Sequence, residues 1–163
     1  MTDTEMIHEL FGSDMILISE TVLADCDLPL ATKDWLATMG VPRSVELPFG
    51  LVLDGLDDLK PITNKFQSGL RIGVTDGPTY MVIIKDGAVV MLDKTDEPER
   101  FVNSSVSQFI LSLCAFRELT QSKIKVEEFQ SRLSEIDSGG TSNGDTFWSI
   151  ALEEIINFEL YQL

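Results

Sequence analysis

The sequence predicts an α+β protein, a central and mainly antiparallel sheet packed by helices. Three observations carry that expectation. The β-rich runs LRIGVT, TYMVIIK and AVVMLD follow one another across residues 70–93 with only short breaks. Asp86-Gly87 separates the last two, and such a pair suits the positive φ angles of a type I′ hairpin turn, so the runs read as an antiparallel meander. Apolar residues at helical spacing then flank this block on both sides. At 163 residues the chain is expected to form one domain, 1–163.

Each element has its own signal. Thr2 and Asp3 cap a short amphipathic helix to Phe11, with Met6, Ile7, Leu10 and Phe11 on one side and Gly12 as its stop. MILIS, residues 15–19, reads as a short strand. Thr32 is expected to cap a helix carrying Trp35, Leu36 and Met39, ended by Gly40 and Pro42. Residues 49–53 suggest an edge strand, followed by an acidic turn at Asp54, Asp57 and Asp58. Asp76-Gly77-Pro78 breaks the first two meander runs. Runs 81–84 and 88–92 are apolar on both faces, so helices should cover one face and leave little of the sheet bare.

After the meander, Phe101-Val102 runs extended into Asn103-Ser104-Ser105. Ser105 with Gln108 three residues on has the form of a capping box, contributing about 1 kcal/mol. Val106, Phe109, Ile110, Leu113 and Cys114 would then face the sheet. A helix over roughly 124–136 carries Val126, Phe129, Leu133 and Ile136. Ser138–Gly144, SGGTSNG, reads as a flexible loop. The last helix begins near Asp145-Thr146; its polar positions Ser149, Glu153 and Asn157 leave a narrow wet stripe, predicting burial over most of its circumference.

Charge limits the function. Twelve basic residues against 27 acidic give a net charge of −15. Binding to nucleic acid or an anionic membrane needs cations, so both are disfavoured and a basic protein partner is favoured. Residues 1–34 hold eight acids and one lysine; residues 127–163 hold eight acids and Arg132. Side by side, these terminal segments would form one negative face. Cys26 and Cys114 show no CxxC spacing, and Asp3, Glu5 and Glu9 exclude the basic start of a secretory signal. Reduced cysteines in a cytoplasmic protein are expected, and no apolar run approaches the ~20 residues of a membrane span.

Motifs for chemistry are scarce. His8 is the single histidine. Gly140-Thr141-Ser142-Asn143-Gly144 matches a nucleophile elbow in letters, but a helix precedes it and no histidine follows. Asp54, Asp57 and Asp58 miss the calcium-loop spacing, and there is no zinc-type Cys/His spacing or phosphate loop. No catalytic residue, metal or cofactor is therefore assigned, which favours a binding protein.

The ordered pieces "LPLATKDWLATMGVP", "LRIGVTDGPTYMVI", "RFVNSSVSQFILSLCAF" and "IDSGG…FWSIALEEI" together resemble the SUKH superfamily, and within it the fourth subfamily of bacterial immunity proteins, over residues 28–158. The first 27 residues match no named pattern. The resemblance implies an α+β fold and a non-enzymatic, cytoplasmic protein that blocks a cognate polymorphic toxin, often a nuclease or deaminase. It implies no catalytic residues; Phe101, Asn103, Ser105, Phe109 and Trp148 read as structural. Asp54, Asp57, Asp58, Glu127, Glu128, Glu153 and Glu154 are the candidate partner-binding residues, a phosphate-like surface for a basic toxin. The alternative is an intracellular scaffold of the same fold without a toxin.

Overall fold

The computed structural model describes residues 1–55, 61–63, 68–75, 79–93 and 98–161. Asp57, Asp58 and the Asp76-Gly77-Pro78 turn lie outside them.

The N-terminal helix α1 (Asp3–Phe11) is fixed at its start by a complete capping box. Thr2 Oγ1 accepts from the Glu5 backbone N–H at 3.2 Å, and the Thr2 N–H donates to Glu5 Oε2 at 2.6 Å. The next strand is shorter than expected. Only β1 (Met15–Ile16) pairs, with β2 (Val41–Pro42), because Ser19 caps a further helix, α2 (Glu20–Ala24), through a bond from the Val22 N–H. Helix α3 (Leu30–Thr38) starts three residues earlier than predicted. Pro29 presets the entry with φ −59°, so Thr32 is no cap and lies buried within the first turn.

Among the described residues the large sheet is antiparallel throughout, in the order β3 (Ser44–Glu46), β4 (Val52–Asp54), β6 (Ser68–Thr75), β7 (Tyr80–Ile84), β8 (Val89–Leu92), β9 (Pro98–Asn103), with β5 (Pro61–Thr63) also on β6. Strands β4 and β5 share one edge of β6: β4 takes Val74 and Thr75, β5 takes residues 68–70. The expected edge strand at 49–53 is displaced. Phe49 and Gly50 form the turn with positive φ, and β4 lies inside β3 in the sheet order.

The meander is as predicted, but its second turn is not type I′. Gly87 alone has positive φ (+92°), and its N–H donates to the Ile84 carbonyl, while Ile84 donates to Ala88. This is a type I turn closed by a left-handed glycine. Asp86 Oδ1 accepts from the Ala88 N–H at 2.9 Å, a bond that holds Asp86 at negative φ.

One face of the sheet packs on helices α4 (Val106–Thr120), α5 (Val126–Ile136) and α6 (Phe147–Tyr161). Leu53, Leu70, Ile72, Met81, Ile83, Val89, Met91 and Val102 meet Phe109, Leu113, Phe129, Leu133, Phe147 and Trp148 in a continuous core. The other face carries a separate buried cluster of Val82, Val90 and Leu92, with Arg71 stacked 4.0 Å above the Tyr80 ring. Helix α4 is the hub: it packs against α1, α5, α3 and β9. Arg117 in α4 donates to the Leu10 carbonyl at 2.7 Å and lies over the Phe11 ring, tying α1 to the core.

Helix α6 departs from expectation. Phe147, Trp148, Ala151 and Leu152 are buried, but from Glu153 to Glu159 every residue is exposed or half-buried, Phe158 at 66%. The narrow polar stripe holds for two turns only. Beyond them Ile155 still packs against the core, and 157–159 are exposed.

Candidate partner-binding surface

The signature stretch at 101–105 builds a polar node. Ser105 caps α4 through the Gln108 N–H at 3.2 Å. The second arm of the expected capping box is redirected: the Gln108 amide donates instead to the Ile136 carbonyl at the end of α5, at 3.0 Å. Next to it the buried Asp137 carboxylate accepts four hydrogen bonds. The Asn103 amide (3.2 Å) and Ser104 N–H (2.7 Å) reach Oδ2; the Ser104 hydroxyl (2.9 Å) and Gly139 N–H (3.1 Å) reach Oδ1. Trp148 Nε1 donates to Asn103 Oδ1 at 2.9 Å, and the Asn103 amide also reaches Ser112. A buried charge without a cation is tolerated only with such donors.

That node orders the segment expected to be a flexible loop. Residues Ser138–Thr141 form a 3-10 turn whose Gly140 is buried, and Thr146 Oγ1 donates to the Gly140 carbonyl at 2.6 Å. A Cβ at Gly139 would come within 3.0 Å of Ser104 Oγ, so the turn fits closely on β9. The angle between α5 and α6 is therefore set by hydrogen bonds and by the rings of Phe129, Phe147 and Trp148, whose centroids lie 5.1–6.2 Å apart. Asn103, Phe109 and Trp148 are buried, in keeping with a structural role.

The candidate acids divide into groups. Glu127, Glu128, Glu153 and Glu154 are exposed on α5 and α6. Between these helices runs a groove of ≈ 390 Å³ lined by Gln130, Ser134, Thr141, Ser149, Glu153 and Asn157 among others. Glu128 is not a free charge: Arg132, one helical turn on, pairs with it at 2.9 Å and also holds Glu118 on α4. The i,i+4 spacing of Glu128 and Arg132 was the available signal for this pair. Asp54 is exposed on β4, accepting from the Ser44 hydroxyl at 3.2 Å, with three strands between it and β9 in the sheet order. The structure therefore brings Glu127, Glu153 and Glu154 onto one helix pair and places Asp54 on a different element.

Residues with chemical potential are engaged elsewhere. Ser142 follows a 3-10 turn rather than a strand, and its hydroxyl donates to the Gly139 carbonyl at 3.1 Å, so no nucleophile elbow forms. Cys26 and Cys114 are free and buried; burial pushes the Cys114 thiol up to about 12, far from a nucleophilic thiolate. Among the described residues no group of His, Cys, Asp and Glu could hold a metal ion, and no helix is long and apolar enough to cross a membrane.

The family model described as SUKH-4 immunity protein matches residues 2–154. The chain belongs to that family. The SUKH-4 match begins at residue 2, so the first 27 residues, which the sequence pattern left outside the resemblance, are part of it. No curated protein and no solved structure matches the chain. Membership supports an immunity role and makes α1 a family element rather than an appendage.

Proposed function

We propose that this immunity protein binds a cognate polypeptide toxin with a basic surface, a nuclease or deaminase, and covers the groove that would otherwise grip nucleic acid. One observation carries the reading: the excess of acids is large and local, eight acids against one arginine in residues 127–163, with Glu127, Glu153 and Glu154 exposed on the ordered α5–α6 pair. Carboxylates on a preformed helix pair can stand where phosphates would lie in the toxin, with little ordering cost on binding. Glu128, paired with Arg132, and Asp54, on a different element, add to the field that steers the encounter rather than to close contacts. The protein changes no substrate, and it acts in the cytoplasm, where Cys26 and Cys114 stay reduced.

The test reverses the charges together. E127K/E153K/E154K is expected to slow association with the toxin encoded in the adjacent reading frame by at least tenfold, flatten its salt dependence and abolish growth protection on co-expression. Wild-type association kinetics in the triple variant, with an unchanged melting curve, would end the proposal.

A further inference from the structure

A second surface feature is unlike the acidic helices. Helix α1, the segment after β1 and the end of α3 enclose a groove of ≈ 470 Å³. Its walls include Ile7, Met15, Leu17 and Met39, with Glu5 and His8 at the rim. Leu17 is 59% exposed although it stands beside Ile18, which is buried. A single exposed leucine is ordinary; what sets Leu17 apart is that it shares one concave surface with Ile7, Met15 and Met39, and a contiguous apolar groove of that kind is where a partner docks.

The charge around the groove narrows what can fill it. Residues 1–39 carry eight acids against Lys33. Glu5 and Glu9 are exposed one turn apart on α1; Asp34 is exposed one turn before Thr38, which lines the groove; Asp14 directly precedes Met15. Thr2 hydrogen bonds hold the Glu5 carboxyl below the usual carboxylate range, so it stays anionic. An apolar slot with Glu5 on its edge and Glu9, Asp14 and Asp34 exposed on the segments that form it complements a segment that presents a medium-sized apolar side chain beside lysines or arginines. A second copy of this chain would bring like charge to like charge.

We infer that the α1–β1–α3 groove seats an apolar side chain from a basic segment of the toxin, supplying the desolvated contact that holds the complex once the acidic surface has steered it together. This rests on the immunity reading proposed above. Steering acids govern the rate of association, whereas a buried apolar anchor governs the rate of dissociation, so the two surfaces separate kinetically.

The experiment measures both rates by biolayer interferometry with the inactivated toxin domain from the adjacent reading frame, comparing wild type, L17D and E127K/E153K/E154K. L17D changes an exposed side chain, and its melting curve controls for folding. The expected result is a dissociation rate raised at least tenfold in L17D with association nearly unchanged. Amide hydrogen exchange of the wild-type complex is expected to show protection at residues 4–17 and 38–39. A wild-type dissociation rate in L17D, or no protection there while the triple variant weakens binding, overturns the groove and leaves the immunity reading standing. No binding by the wild type overturns both. A concentration-dependent dimer of the free protein that L17D dissolves, seen by light scattering, assigns the groove to self-association and also overturns the inference.

Discussion

Asp137→Asn isolates the carboxylate node. The side chain is 5% exposed and accepts two bonds at each oxygen. An amide keeps the shape but turns one acceptor into a donor. If the NH₂ replaces Oδ2, it faces the Asn103 amide and Ser104 N–H; if it replaces Oδ1, it faces the Ser104 hydroxyl and Gly139 N–H. The hydroxyl can rotate, so the second orientation is preferred and at least one N–H is left opposed. Hydrogen bonds to charged groups contribute about 1.5–3 kcal/mol each, and an unsatisfied buried donor costs about 1–3 kcal/mol. The expected loss is about 3–5 kcal/mol, or roughly 6–20 °C in Tm for a chain of this size. Urea denaturation followed by circular dichroism gives the first number and calorimetry the second. Asp137→Asn within about 0.5 kcal/mol of wild type would refute the assignment of the carboxylate as the fastener of β9, α5 and α6.

Three further outcomes are expected. Burial raises the Cys114 thiol from 9.0 to about 12, so the folded state keeps its proton where the unfolded chain loses it. Its contribution is full below pH 9 and falls by up to about 1.4 kcal/mol per pH unit from there to about 12; the stability gap between wild type and Cys114→Ala should narrow across that window in urea titrations. Gly40→Ala would place a Cβ 2.0 Å from the Ile16 carbonyl oxygen at φ +77°, whereas Gly12→Ala meets open space at φ +50°. Denaturation should show a loss above about 4 kcal/mol for the first and about 1–3 kcal/mol, strain alone, for the second. Arg117→Met removes the bond to the Leu10 carbonyl; amide exchange should rise in residues 3–11 and stay unchanged in 106–120, at a cost of about 1.5–3 kcal/mol.

The fold was legible where local chemistry and tertiary demand agree. The three meander strands, the caps at Thr2 and Ser105, and the apolar spacing of α4 and α5 all follow from side chains acting on their own neighbourhood. The misses are places where distant residues decide. The Gln108 amide reaches Ile136 as well as the Ser105 hydroxyl, Asp137 joins a glycine-rich turn to Ser104, 33 residues earlier, and Pro29 starts α3 ahead of Thr32. Short strands such as β2 and β3 exist only through their partners, and two or three residues leave no periodicity to detect. The surface acids were legible as a charge excess but not as a geometry. Arg132 quiets Glu128, Asp54 lies on another element, and the apolar groove at Leu17 draws its walls from three segments that no local pattern links.

The grip of Arg117 on α1 has a bearing on how the molecule meets a partner. The Arg117 guanidinium sits against the negative end of the α1 dipole and lies over the Phe11 ring. An amino-terminal helix of nine residues would ordinarily fray. Bolted at its far end to α4, which packs against α5, α3 and β9 as well, it becomes a standing rampart, so whatever approaches that flank finds a shape already waiting for it.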